Sequence, residues 1–226
     1  MDTVVLLHGL WRSRWSMAWP AWRLRAAGFR TVGITYPSRR MPIDALAHYV
    51  ARRLPDPGAG RLHFMTHSLG GLVVRELVRT ARPPGLGRVV MIGPPNQGSD
   101  LARQLQGSRV LRALAGPVGP LLASEADAVT ARLGPVDFEV GVIAGAVARS
   151  VLARRFDGPG DGRVLVSETR VEGMADLVVV GRGHAFIMNS GPVIDQTIHF
   201  LQHGRFQPSS AASLVDLSAT ASRERT

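Results

Sequence analysis

A chain of 226 residues is long enough to bury one sizeable core and too short to need a second, so one domain with one active site is expected. A hydrophobic content of 45%, with 25 glycines and 15 prolines, suits a folded protein with many tight connections, and the lack of any cysteine excludes disulfides, thiolate metal sites and cysteine nucleophiles. The net charge of +10 rests on 27 basic residues, all arginine and scattered singly or in pairs such as Arg39-Arg40, Arg52-Arg53 and Arg154-Arg155. With no homeodomain, zinc-finger or RNA-recognition signature beside them they read as a compositional bias, and no nucleic-acid partner is expected.

The chain begins Met1-Asp2-Thr3 and runs at once into an apolar strand, without the basic start, long apolar stretch and cleavage site of a secretion signal, so a cytoplasmic location is expected. Arg, Gly or Pro interrupts each apolar run before the ~18 residues a bilayer needs, so no transmembrane segment is expected. Short β-branched runs predict strands at Thr3–Leu7, Arg30–Thr35, Leu62–Thr66, Arg88–Ile92, Phe138–Ala144 and Met174–Val180. Between them, helical spacing predicts helices near Trp15–Ala27, Ile43–Leu54, Leu69–Ala81, Leu101–Leu133 (broken) and Pro192–His203. This alternation implies an α/β fold, a mostly parallel sheet of about six strands flanked by helices, with all carboxyl ends on one edge where ligands bind.

Gly107, Gly116, Pro117, Gly119 and Pro120 break the stretch Asn96–Gly134, which is read either as a short lid or as ordinary packing helices; a minimal lid or none is expected. Residues 1–206 form the domain, and the Ser-, Ala-, Thr- and Arg-rich 207–226 read as a flexible tail.

The decisive segment is Leu62-His63-Phe64-Met65-Thr66-His67-Ser68-Leu69-Gly70-Gly71, an apolar strand ending at a serine, with glycines and a helix directly behind it. A sharp strand-to-helix turn lifts such a serine hydroxyl above the sheet edge, and the next N–H, on Leu69, lies at a helix N-terminus where fixed dipoles can hold an oxyanion. The plainer role of a serine that caps the following helix is disfavoured by the flanking residues. Thr-His-Ser-Leu-Gly-Gly resembles the nucleophile elbow of lipases and esterases of the α/β-hydrolase superfamily, with Thr66 where glycine commonly stands and its branched side chain expected to crowd the turn.

That resemblance covers most of residues 3 to 203 and implies roles for further residues. Leu7-His8-Gly9-Leu10 is similar to the oxyanion loop, which makes the backbone N–H of Leu10 the second donor and leaves His8 to shape the turn. The order nucleophile, acid, histidine puts the base late in the chain, at His184 in Gly-His-Ala-Phe-Ile-Met, and the acid in Asp161-Gly162-Arg163-Val164, with Asp157 as its competitor. Asp176 begins the last strand and, by strand length, falls at the opposite edge. His67 reads as a buttress of the elbow, and His48, His63, His199 and His203 as structural.

Two features are weaker. Gly93-Pro94-Pro95-Asn96-Gln97-Gly98-Ser99 resembles the loop that shapes the lipase pocket, so Pro95 and Asn96, with Trp11, are assigned to the substrate pocket; a plain turn is the alternative. Trp11, Trp15, Trp19 and Trp22 recur at near-helical spacing and are read as packing into the core in preference to binding substrate, with Trp11 the one placed near the acyl pocket. Without an H-E-x-x-H pair, a phosphate loop with Lys or clustered carboxylates, neither a metal nor a cofactor is expected. The implied activity is hydrolysis of small-molecule carboxylic esters of short to medium acyl chain through an acyl-enzyme on Ser68. An acyltransferase or thioesterase with the same residues, and a binding protein that keeps the fold without activity, remain as alternatives.

Overall fold

The computed structural model describes residues 1–98, 129–147 and 158–208. Six strands, β1 (Thr3–Leu7), β2 (Arg30–Ile34), β3 (Leu62–His67), β4 (Leu86–Ile92), β5 (Val140–Gly145) and β6 (Asp176–Val180), form one sheet in the order β2-β1-β3-β4-β5-β6, with every pairing parallel. Its helices are α1 (Ala18–Ala26), α2 (Ile43–Ala51), α3 (Leu69–Ala81), α4 (Val166–Thr169) and α5 (Gly191–His203), and a 3-10 turn at Arg14–Met17 leads into α1. Among the described residues no helix is long and apolar enough to cross a membrane.

Alternation along the strands builds two cores. Val5, Leu7 and Phe64 face α2 and α3, whereas Val4, Leu6 and Met65 face α1 and α5, which is why the central strands read as unbroken apolar runs. From β1 the chain first steps outward to β2, then crosses back to β3 on the other side of β1. The connections leaving β1 and β3 therefore diverge, and a crevice opens outside their carboxyl ends, where parallel sheets of this kind take their ligands.

Most expected elements form within a residue or two, and the departures have local causes. α2 stops at Ala51 instead of reaching Leu54, since Pro55 bars the α region to the residue before it. Pro20 is tolerated inside α1 because its missing N–H falls among the first four that have no intrahelical partner. α4 is a single turn that was not expected, and Glu168 closes it by accepting the Leu165 N–H at 2.8 Å. Of the expected helix Leu101–Leu133 and the lid Asn96–Gly134, residues 99–128 lie outside the described residues, as do Asp157 and the tail beyond Pro208.

The tryptophan row is corrected. Trp11, Trp15, Trp19 and Trp22 are between 47% and 72% exposed, while Met17, Pro20 and Leu24 fill the inner side of the same segment. Both rows recur at helical spacing, and spacing alone does not say which of two apolar rows meets the sheet.

Candidate active site

Strand β3 sits between β1 and β4, and Ser68 comes directly after its last residue. Ser68 holds φ 53°, ψ −120°, a conformation rarely adopted by a residue with a side chain, and Ser68 N–H donates to the Ile92 carbonyl of the neighbouring strand at 2.9 Å. Two glycines behind the serine let the turn be this tight. A Cβ on Gly70 would lie 2.8 Å from the Leu7 carbonyl oxygen, and one on Gly71 would lie 2.9 Å from Pro94 Cβ, so only glycines let α3 start directly against β1 and the β4 loop. Thr66 is accommodated within β3, paired with Leu7 and Met91 and buried, so the steric demand falls behind the serine and not two residues before it.

His184 lies beyond β6, and its Nε2 is 3.1 Å from Ser68 Oγ. On the other side of the ring, Nδ1 is 2.6 Å from Asp161 Oδ2. The Asp161 side chain is fully buried and that of His184 is 6% exposed. Asp161 Oδ1 accepts the N–H groups of Arg163 at 3.0 Å and Val164 at 2.9 Å, so both oxygens of the carboxylate have a donor and it stays fixed. The His184 backbone is tied as well, its N–H donating to the Asp161 carbonyl at 3.0 Å.

His67 completes this support. Its Nε2–H donates to the His184 carbonyl at 3.1 Å, and burial, reinforced by the nearby His184 ring, pushes its pKa well below the ordinary value, so it is held neutral. Gly93 in left-handed conformation (φ 55°) closes the back of the site, where a Cβ would stand 3.1 Å from Asp161 Oδ2 and 3.3 Å from His184 Nδ1. Gly145 does the same from β5, a Cβ there falling 2.7 Å from Asp161 Cβ.

The β1 side supplies the second loop. His8 is buried, stacks on Tyr36 at 4.1 Å, accepts the Tyr36 N–H on Nε2 at 3.2 Å and donates from Nδ1 to the Gly9 carbonyl at 2.8 Å, while the Tyr36 hydroxyl donates to the His8 carbonyl. With both ring nitrogens engaged and its pKa lowered by burial, His8 is a neutral brace for the loop. Gly9 is packed on the elbow itself, since a Cβ there would be 2.8 Å from His67 Nδ1 and 3.2 Å from Ser68 Cβ. Leu10 comes next in the chain, and Leu69 is the first residue of α3. Neither N–H donates to a backbone carbonyl among the described residues, and that of Leu69 opens a helix whose dipole favours negative charge there.

The remaining assignments divide. Trp11, strained at φ 65° and half-exposed, stands at the rim with the Arg39 guanidinium 3.7 Å from its ring centroid. Pro95, in the loop after β4, is half-buried, but Asn96 turns its amide inward, donating to the Thr169 carbonyl at 2.8 Å and accepting from Arg75 at 3.0 Å. Asn96 thus ties α3 to α4 instead of offering a free group to a pocket. Asp176 stands at the amino end of β6, accepting the Phe206 N–H at 2.8 Å, as strand length requires. Sequence reasoning missed Gly93, Gly145 and Arg12, the last of which donates to the Ala185 carbonyl directly after His184. For the glycines the usable signal was their place at the carboxyl ends of β4 and β5; for Arg12 there was none.

No protein-family model matches this chain, and no curated protein matches its sequence. Solved structures do. The phospholipase PlaB from Legionella pneumophila is 18% identical with a TM-score of 0.71, over 89% of this chain and 60% of that one, so this chain spans about three fifths of the phospholipase. The mature lipase BlEst2 from Bacillus licheniformis is 19% identical (TM-score 0.62, 83% of this chain and 86% of that one). An extracellular α/β-hydrolase from a Paenibacillus species is 16% identical (TM-score 0.55, 88% and 98%). The all-parallel six-stranded sheet in this order, with likeness of this extent to such neighbours, gives the chain the α/β-hydrolase fold.

Proposed function

We propose that this protein is a serine hydrolase of carboxylic esters, with Ser68 as nucleophile, His184 as general base and acid, and Asp161 as the group that orients His184. The observation that carries this reading is the hydrogen-bonded line Ser68 Oγ, His184 Nε2, His184 Nδ1, Asp161 Oδ2, at 3.1 and 2.6 Å, at the carboxyl edge of the sheet. A carboxylate on Nδ1 fixes the proton there and leaves Nε2 as the acceptor that a hydroxyl nucleophile needs.

In the forward half-reaction Ser68 Oγ attacks the ester carbonyl carbon while its proton passes to His184 Nε2. The imidazolium so formed is stabilised by Asp161, whose other oxygen is already held by the Arg163 and Val164 N–H groups. The tetrahedral oxyanion is taken by the N–H groups of Leu10 and Leu69, each such donor being worth ~2.7 to 4 kcal/mol in comparable sites. His184 then gives its proton to the departing alkoxide, the alcohol leaves, and an acyl-enzyme remains. Water attacks that ester with His184 again taking the proton, the acyl–Oγ bond breaks as His184 returns the proton to Ser68 Oγ, and the carboxylic acid departs. All proton transfers are met by side chains of this chain.

Short to medium acyl chains are the expected substrates, with Trp11 and Pro95 at the rim of the acyl site. A fluorophosphonate probe should label Ser68 alone, and Ser68→Ala should lose labelling and ester turnover while keeping the parent circular dichroism. Labelling of a different serine, or full turnover by Ser68→Ala, would overturn the reading; transfer of the acyl group to an added alcohol in preference to water would redirect it to acyl transfer.

A further inference from the structure

The exposed tryptophans are a surface the proposed chemistry does not use. From Thr3 to Ile43 the chain contains seven arginines, all four of its tryptophans and not one carboxylate, so this segment alone carries +7. In the fold the tryptophans are exposed, and Arg12, Arg14, Arg23 and Arg39 lie against the exposed rings. Trp11 sits at the active-site rim, Trp15 lies in the 3-10 turn anchored to the end of β2 by the Arg14 N–H to Thr35 Oγ1 bond of 3.1 Å, and Trp19 and Trp22 continue down the outer side of α1, stacked at 5.0 Å. Phe186, 71% exposed, extends the row on the far side of Arg12, which reaches across to the Ala185 carbonyl.

Each ring is partnered by a guanidinium or by another ring. Arg39 lies over Trp11, Arg14 over Trp15, Arg23 over Trp19 and Arg12 over Phe186, at 3.7 to 5.9 Å from the ring centroids. Arg23 also pairs with Asp195 of α5 at 2.6 Å. Exposed indole beside arginine is the composition that settles at the boundary of an anionic bilayer, where the amphipathic ring replaces water among the headgroups and the cation meets phosphate.

We propose that this face, from Phe186 and Trp11 down the outer side of α1, docks the protein on an anionic lipid surface with the active-site rim turned towards it. Charge decides among occupants. A second copy of the chain would bring the arginines that flank these rings against their own copies, whereas an anionic bilayer complements them. Bases of a nucleic acid would have to stack on rings that already carry a second indole or a guanidinium on one face. The docking reading does not depend on the hydrolase reading, since lipid binding needs no bond to be broken.

All four tryptophans lie on the face, so intrinsic emission reports on it without a label. The full chain is mixed with phosphatidylcholine vesicles with and without about 30% phosphatidylglycerol, and binding is read by co-sedimentation and emission. The expected result is at least roughly tenfold stronger partitioning onto the anionic vesicles with a blue shift, weakened by raising salt from about 0.1 to 0.5 M. Trp15→Ser with Trp19→Ser should cut partitioning by about tenfold or more and leave turnover of a water-soluble ester within about twofold. Arg14→Glu with Arg25→Glu should remove the anionic preference while keeping the fold, and Ser68→Ala should bind as the parent does. Equal binding to both vesicles, bound protein with unshifted emission, a dimer whose tryptophans are shielded without lipid, or displacement from vesicles by an oligonucleotide would each overturn the proposal.

Discussion

Two Asp–His pairs stand at opposite ends of the same sheet, and they differ in their third partner. At the amino end His63 Nε2 meets Asp2 Oδ2 at 3.2 Å, with the carboxylate 42% exposed, and the other ring nitrogen is consumed by the Arg88 N–H at 2.8 Å. At the carboxyl end His184 meets a fully buried Asp161 at 2.6 Å and presents its other nitrogen to Ser68. Pairing with a carboxylate is therefore not what distinguishes a base from a brace. The third partner is: a backbone donor uses up His63, whereas His184 faces the Ser68 hydroxyl, whose proton it takes in the proposed mechanism.

The difference between the two ends should be widest at the acids. Asp161→Asn should lower kcat by about 10⁴, because an amide that must share hydrogens with the imidazole favours the wrong tautomer. Asp2→Asn, the same change at the other end, should leave kcat within about twofold and cost only surface-scale stability. Steady-state kinetics on the two variants, with circular dichroism as the folding control, reads the difference. Equal loss in both would mean that the Asp161 pair is as structural as its counterpart.

A smaller effect is expected one step from the pair. His67 holds the His184 carbonyl, so His67→Ala should release the histidine loop and lower kcat by roughly 10²-fold, the scale on which a misplacement of about 1 Å acts. Its action runs through His184 alone, so KM should hold and the fluorophosphonate labelling rate of Ser68 should fall in parallel with kcat. His67→Gln, whose amide can donate to the same carbonyl, should recover part of both. A rise in KM at constant labelling rate would instead make His67 a wall of the substrate site.

The legibility of these features in the sequence tracks the range of the interactions behind them. Ser68 and α3 were readable because strand, turn and helix are contiguous and the glycines behind the serine are a local necessity. Asp161 and His184 were readable through a resemblance, since nothing in two segments 23 residues apart states that they meet. Asn96 was misread because its loop identifies a strand end but not the direction of a side chain, which Arg75 and Thr169 decide from other elements. The tryptophans were misread for a related reason: α1 has two apolar rows, and the one that wins the core is the one whose smaller side chains fit against Leu6 and Phe29.

The smallest expected effect concerns acid. His8, His63 and His67 all have their pKa lowered, in each case chiefly by burial. A histidine whose folded pKa lies below its unfolded one takes its proton first in the unfolded chain, so the stability it contributes is complete above about pH 6.5 and is lost as pH falls, by at most on the order of 1 kcal/mol per pH unit for each group. Thermal unfolding midpoints should therefore decline steadily from pH 7 to 5, before carboxylates such as Asp2, itself lowered by its Arg61 N–H bond, begin to protonate. The two ends of the sheet differ here as well. Asp2 pulls the His63 pKa back up through its hydrogen bond and charge, whereas the charges around His67 (His184, Arg12 and Arg163) all push the same way as burial. Replacing His67 with Gln should flatten the decline more than replacing His63 with Gln. A midpoint that stays level to pH 5, or a larger flattening at His63, would show that burial does not hold the His67 pKa down as proposed.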